Sequence, residues 1–213
     1  MIIKKAGSTT LKDELDDGYE LLSSAFPAVA IFGSARIADN SSLYKTTYEI
    51  CDKLSQNGFY VISGGGPGLM EAANKASYLC AGKSVGLNIS LPCEQKPNKY
   101  QNISIQFDNF FTRKYFFMIN AISFVVMPGG FGTIDELFDV LVMVQTSKAE
   151  KVPIILVGRS FWEGLTKWLN TTLIKLGTVS KEEVELLITV DNPDEVVSVI
   201  NEFYMGLGEG YGF

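Results

Sequence analysis

The chain has 213 residues, 46% of them hydrophobic, with 24 acidic against 18 basic side chains and no histidine. A net charge of −6 argues against nucleic acid or an anionic membrane as a main partner, but leaves room for a small anion held by backbone amides. The absence of histidine excludes Ser-His-Asp and Cys-His nucleophile systems, HExxH zinc sites and an imidazole base, so acid–base work falls to Asp, Glu, Lys, Tyr or water.

The length fits a single domain with a substantial core, expected over about residues 27–205. Residues 1–10 hold no apolar stretch of signal-peptide length, and no run approaches the roughly 20 apolar residues of a bilayer span. The expected location is therefore the cytosol, and the sequons at Asn40, Asn88, Asn102 and Asn170 are accidents of composition. Cys51, Cys80 and Cys93 are odd in number and lack CxxC spacing, which points to small buried apolar residues rather than disulfides or zinc.

Strand and helix patterns alternate along the chain. An acidic helix is expected near 10–24, then a strand at 29–33 and a helix near 41–56 with Leu43, Thr47, Ile50 and Leu54 on one face. A second strand, 59–65, leads to a helix that Pro67 opens and that ends near Leu79, since proline suits the first helical position. Strands follow at 84–89 and 103–107, a helix at about 110–120, a strand at 123–127 and a helix at 133–147. Strand 152–158, helix 161–175, strand 186–190 and helix 193–204 complete the series, and the tail from Gly206 is expected to be mobile. The strands are short continuous apolar runs, as expected of strands covered on both faces. Repeated βα units imply an α/β, Rossmann-like, doubly wound parallel sheet flanked by helices.

Ligands of such sheets sit beyond the carboxyl ends of the strands. Two Gly-rich segments occupy such ends: Ser63 to Glu71, and Pro128 to Glu136. Glycines let backbone amides approach a ligand, and a helix start carries partial positive charge, so both segments suit phosphate. A third strand end, Gly33 to Arg36, adds the Ser34 hydroxyl as a candidate phosphate ligand, and a guanidinium. The plain alternative for either glycine segment is a tight βα turn. Asp135 and Glu136 are expected in the first turn of the helix, and carboxylates beside a phosphate site point to chemistry on the phosphorylated molecule. The competing reading is a capping box, with Thr133 as N-cap and Glu136 three residues on.

Familiar nucleotide motifs fail. The first strand is followed by GSAR rather than GxGxxG, Asp135 stands where Gly130-Phe131-Gly132 would need a third glycine, and Gly82-Lys83-Ser84 precedes a strand and lacks the first P-loop glycine. Residues 110–117 hold five aromatics in eight positions. Core packing explains most of them, and the excess points to a dimer contact or an apolar pocket for a base. Arg113 is either a solvated charge or, in a pocket, a partner for a carboxylate or phosphate. Lys45, Lys53, the Lys148–Lys151 pair and Glu182, Glu183 and Glu185 read as ordinary surface.

The segments GGGPGLMEAANKAS (64–77), FFTRKYFFM (110–118) and PGGFGTIDE (128–136) resemble the signatures of the LOG family, long labelled "lysine decarboxylase". The resemblance covers about 29–200, with Arg113 15 positions before Pro128 and 23 before Glu136. It implies a nucleoside 5′-monophosphate phosphoribohydrolase that needs neither metal nor organic cofactor, in a homodimer. Arg113 and Glu136 would be the catalytic pair. Gly65, Gly66, Gly129, Gly130, Gly132 and Thr133 would join Ser34 in holding the 5′-phosphate, while Met118 and Asn88 would meet the base or ribose. Arg113 is expected to keep Glu136 ionised by lowering its pKa. Two departures stand out: the plant-type motif ends in Glu-Glu where this chain has Asp135, and the FFTRK context looks like the bacterial branch. The decarboxylase label gains no support, since no strand-end lysine is placed to hold pyridoxal phosphate. Two other readings are a nucleotide or phosphorylated-cofactor carrier, an option that molybdenum-cofactor relatives of the fold exemplify, and a protein whose aromatic segment serves interaction.

Overall fold

The order of the strands explains where the glycine loops meet. In the computed structural model, which describes residues 10–80, 82–91 and 96–206, seven parallel strands form one sheet in the order β4-β3-β2-β1-β5-β6-β7. The chain runs α1 (Leu11–Leu22), β1 (Ala28–Phe32), α2 (Ser42–Gln56), β2 (Tyr60–Ser63), α3 (Leu69–Cys80), β3 (Ser84–Ile89) and β4 (Ile103–Phe107). It continues with α4 (Phe110–Asn120), β5 (Ala121–Val126), α5 (Phe131–Gln145), β6 (Ile154–Val157) and α6 (Arg159–Trp168), which passes through a π-helical turn, Leu169–Leu173, into α7 (Ile174–Leu176). The short α8 (Lys181–Val184), β7 (Leu187–Val190) and α9 (Pro193–Met205) follow.

Successive strand residues point to opposite faces, and both faces are apolar. Ala28, Ala30 and Phe32 of β1, Phe124 and Val126 of β5, and Ile154 and Leu156 of β6 pack with α1, α4, α5 and α6. Val29, Ile31, Val125, Met127, Ile155 and Val157 pack with α2, α3 and α9. This two-sided burial is the expected doubly wound arrangement, and truncating one of these residues to alanine costs about 2–5 kcal/mol. Ends of elements differ more than their existence. Pro67 lies in a bend two residues before α3 rather than at its first position, because Gly68 turns there with φ +67°. Helix 161–175 is broken by the π-helical turn, and α8, held by a Ser180–Glu183 capping box, has no counterpart in the periodicity reading.

Cys51 is buried, but Cys80 is exposed at the end of α3, contrary to the expectation for it; Cys93, the first nine residues and the tail beyond Gly206 lie outside the described residues. Lys53 pairs with Asp194 at 2.6 Å. No helix among the described residues is long and apolar enough to cross a membrane.

Candidate functional site

β1 pairs with β2 on one side and β5 on the other, and the crossovers from β1 and β5 leave toward opposite faces. The loops after these two strands therefore diverge and open a crevice, which is where an open parallel sheet binds its ligand. Met127 N–H donates to Phe32 O at 2.8 Å, Ser34 N–H to Pro128 O at 3.3 Å and Leu69 N–H to Ser34 O at 2.9 Å, so the three loop roots are pinned together. The crevice is a cavity of about 580 Å³, enough for a mononucleotide.

One wall is the start of α5. Its N-cap is Gly130, with no side-chain cap, and the helix begins at Phe131. The N–H groups of Phe131, Gly132 and Thr133 thus have no acceptor within the helix, and all three residues line the cavity. This placement corrects the capping-box alternative: Thr133 is the third helical residue, not the N-cap. Asp135 and Glu136 consequently fall in the second turn rather than the first. Thr133 and Glu136, three residues apart, share a face and both line the cavity. With capping removed, Glu136 has no local structural duty.

Opposite stands Arg113 of α4, only 7% exposed. Its Nε donates to Leu87 O of β3 at 2.7 Å, its Nη1 lies 3.4 Å from Glu136 Oε1, and the guanidinium covers the Phe117 ring. Gly64 leaves room for the guanidinium in this position, because a Cβ would overlap Arg113 Nη2. The neighbouring residues form a second, outer pair: Lys114 Nζ contacts Asp135 at 2.7 Å and Asp139 at 2.6 Å. Burial pushes the Glu136 carboxyl up to about 7, with the opposing pull of Arg113 and Lys114 too weak to cancel it, and Asp135 and Asp139 adding to the rise. Burial likewise pushes Arg113 down, partly countered by Glu136. The expectation that Arg113 keeps Glu136 below the usual carboxylate range is therefore overturned: desolvation of a group whose side chain is only 15% exposed dominates.

The remaining candidates divide. Ser34, Gly66, Gly130, Gly132, Thr133 and Asn88 line the cavity with Arg113 and Glu136. Gly65 and Gly129 do not line it. Gly65 has φ +71°, donates its N–H to Ser63 Oγ at 3.0 Å, and its carbonyl accepts from Asn98 Nδ2 and Gln101 Nε2 at 3.0 and 2.9 Å. It is a scaffold position whose amide is already spent. Gly129 lets Thr133 close over it, since a Cβ there would overlap Thr133 Oγ1. The Asn88 Nδ2 is committed to Gln101, Ser104 and backbone carbonyls, so this residue supplies wall rather than a free hydrogen-bonding group. Met118 is not brought to the cavity either; it packs against the core beneath the sheet. Of the aromatic segment, Phe116 and Phe117 are core, whereas Phe110 lines the cavity mouth and Phe111 is 73% exposed. Sequence reasoning missed Met70, Ile89 and Phe131 as lining residues, which carry no signal distinct from core positions. It also missed the Lys114–Asp135 pair, whose signal was available: each residue is adjacent to a member of the inner pair.

A polar lattice fixes the floor. Asn74 of α3 accepts from Ser63 Oγ at 2.6 Å and Asn98 Nδ2 at 2.8 Å, and donates to Ser84 Oγ and Val85 O at 2.9 and 3.0 Å. Satisfied in this way, the buried amides rigidify the loop above them. Together these parts bring the unbonded N–H donors of a helix start and a buried carboxyl one helical turn away to the same cavity.

Comparisons with known proteins bear on the family and the fold. Residues 70–200 match the family model described as "Possible lysine decarboxylase". A cytokinin riboside 5′-monophosphate phosphoribohydrolase of Mycobacterium tuberculosis is 30% identical over 167 residues, 77% of this chain and 88% of that protein. The protein of that name called LOG3 in Arabidopsis thaliana is 22% identical, with 87% of each chain covered. Among solved structures, the molybdenum cofactor binding protein of Rippkaea orientalis superposes with a TM-score of 0.59 at 17% identity, covering 83% of this chain and 96% of that one. The molybdenum cofactor carrier protein of Chlamydomonas reinhardtii gives 0.58 at 17% identity, with the same coverage. These two share the fold. The family match over residues 70–200 and the extent of the mycobacterial similarity establish that the chain belongs to the LOG family.

Proposed function

We propose that the protein hydrolyses the N-glycosidic bond of a purine nucleoside 5′-monophosphate, AMP or an N6-modified AMP, to the free base and ribose 5-phosphate. Ser34, Gly66, Gly130, Gly132 and Thr133 seat the phosphate, with the α5 start supplying N–H donors and dipole. Remote phosphate binding then positions the sugar over Glu136. The C1′–N bond breaks through a cation-like sugar, which the ionised Glu136 stabilises. A water oxygen adds to C1′ as the C1′–N bond breaks, its proton passes to Glu136, and Glu136 gives that proton up to the leaving base, which restores the carboxylate. Arg113 holds Glu136 in place and opposes its protonation. The working unit is a cytosolic homodimer without metal or organic cofactor.

The observation that supports this most is the arrangement of Arg113 and Glu136, 3.4 Å apart, at the floor of the cavity that the α5 start lines. The names of the mycobacterial and plant relatives support the same reaction class. The shared fold with the cofactor carriers favours, as the second reading, a non-catalytic nucleotide or phosphorylated-cofactor binder. Incubation with AMP, GMP, CMP, UMP and isopentenyl-AMP followed by chromatography separates the two: release of free base is expected, and saturable binding without product after long incubation would support the carrier.

A further inference from the structure

Glu14 of α1 is a carboxylate only 2% exposed that takes no part in the cavity. Among the described residues, every side-chain hydrogen bond it makes runs to the start of α4. Its Oε1 accepts from Asp108 N–H at 2.6 Å, Asn109 N–H at 3.2 Å and Asn109 Nδ2 at 3.1 Å, while its Oε2 accepts from the Thr112 hydroxyl. Asn109 is the N-cap of α4 and makes no side-chain cap of its own. An asparagine there is able to cap its own helix, yet the acceptor comes from a residue 94 to 98 positions upstream. Burying an anion is costly unless it is fully bonded, and a helix start offers both donors and a favourable field.

The rest of α1 keeps that contact in register. Thr10 and Asp13 close a capping box at its start. Gly18 sits against the Phe116 ring so closely that a Cβ would overlap it, and Tyr19 meets Tyr115 both ring to ring and hydroxyl to hydroxyl. The turn of α4 that Glu14 grips is the one that aims Arg113: Thr112 is its neighbour, and Arg113 N–H donates to Asn109 O at 3.3 Å.

We propose that Glu14 is a positioning residue: through it α1 latches the first turn of α4 and so sets where the Arg113 guanidinium stands against Glu136. Its kinetic consequence rests on the phosphoribohydrolase reading; its structural consequence rests on the Arg113–Glu136 contact alone. Residue 14 also lies outside the segment matched by the family model.

The test uses Glu14→Gln, which keeps the shape and removes the charge, with Glu14→Asp as a second variant that keeps the charge. Glu136 is titrated by carbon-13 NMR, because the charged groups facing it, Arg113 and Lys114 on α4 and Asp135 and Asp139 on α5, report any withdrawal of the guanidinium. Glu14→Gln is expected to move the Glu136 titration upward, speed amide exchange at 108–113, and lower kcat on AMP ten- to hundredfold, with KM within about twofold; Glu14→Asp shows a smaller shift of the same sign. In an Arg113→Gln background, Glu14→Gln is expected to leave the Glu136 titration where it was. The latch is refuted if Glu14→Gln lowers thermal stability but moves neither the Glu136 titration nor kcat, or if it shifts the titration equally in both backgrounds. Should the wild type hydrolyse no monophosphate at all, the functional reading falls alone, and the titration pair still decides for or against the latch.

Discussion

Arg113 Nη1 stands 3.4 Å from Glu136 Oε1, and still burial pushes the Glu136 carboxyl up to about 7. The pair is not a simple case of a cation holding an anion ionised. Both groups are taken out of water, and in that setting desolvation outweighs Coulomb attraction. Burial sets the direction, while Arg113 limits how far the carboxyl rises. The result is a carboxyl poised at neutral pH, where a group best alternates between accepting and donating a proton. A solvent-exposed glutamate near 4.3 would accept a proton poorly at that pH.

If the ionised carboxylate is the working form, kcat/KM rises with pH through an acid limb near 7, since that parameter reports the free enzyme. Arg113→Gln removes the largest of the influences that lower Glu136, so its limb moves above 7. The variant also loses orientation of the carboxylate, and kcat/KM at pH 8 falls by about 10²–10³. A pH profile with its acid limb near 4.5 in both proteins would show that Glu136 is not desolvated in the working enzyme.

The same shift has a stability consequence. A carboxyl raised to about 7 in the folded state but near 4.5 unfolded favours folding below 4.5, and that advantage is lost as pH climbs to 7. Glu136→Gln lacks the titration. Its melting temperature relative to wild type therefore increases between pH 4.5 and 7 and levels off above, with a free-energy gain of at most about 3 kcal/mol. Parallel thermal melts at pH 4.5, 6 and 8 read this directly; a constant offset would contradict a raised Glu136.

How far the residues themselves announced this can be seen at α5. The run from Pro128 to Glu136 located the loop, the helix and the candidate carboxylate Glu136, because strand, glycine and carboxylate follow one another in the chain. The helix boundary did not follow, because Thr133 and Glu136 have the spacing of a capping box, and only the backbone shows that the helix opens at Phe131. Likewise Gly65 and Gly66 look equivalent in sequence. A positive φ and the Ser63 hydroxyl make the first a scaffold, while the second lines the cavity. Contacts between elements distant in the chain, such as Glu14 with Thr112, leave no local pattern. The parallel sheet was legible since central strands such as β1 and β6 are unbroken apolar runs, which two covered faces explain, whereas β4 alternates Ile103, Ile105 and Phe107 with Ser104 and Gln106.

The outer pair allows Glu136 to be tuned without touching it. Lys114 bridges Asp135 and Asp139, and of these groups the two aspartates raise the Glu136 carboxyl while the lysine lowers it. Asp135→Asn should shift the acid limb of kcat/KM downward, and Lys114→Met should shift it upward. Each shift is smaller than that of Arg113→Gln, because Asp135 is half exposed and screened. Stability changes of about 1 kcal/mol or less accompany them. Limbs moving in the same direction for both variants would argue against an electrostatic origin.

Glycine substitutions separate seat from scaffold. A Cβ at Gly132 meets nothing within 4 Å, and the residue is helical. Gly132→Ala should keep or raise the melting temperature, alanine being favoured by up to about 1 kcal/mol in a helix. The methyl group then intrudes on the phosphate, so KM for AMP rises about tenfold, whereas inhibition by adenosine, which lacks the phosphate, is unchanged. Gly65→Ala is the opposite case. With φ +71° and a Cβ that would overlap Asn88 Oδ1, it should lower stability by about 2 kcal/mol. Its loss of activity follows from a distorted floor, not a blocked seat. The contrast is decided by measuring melting temperature and both constants in the two proteins. Normal AMP affinity in a fully folded Gly132→Ala protein would remove the phosphate from the α5 start, and with it the reason for Glu136 to lie beside the sugar.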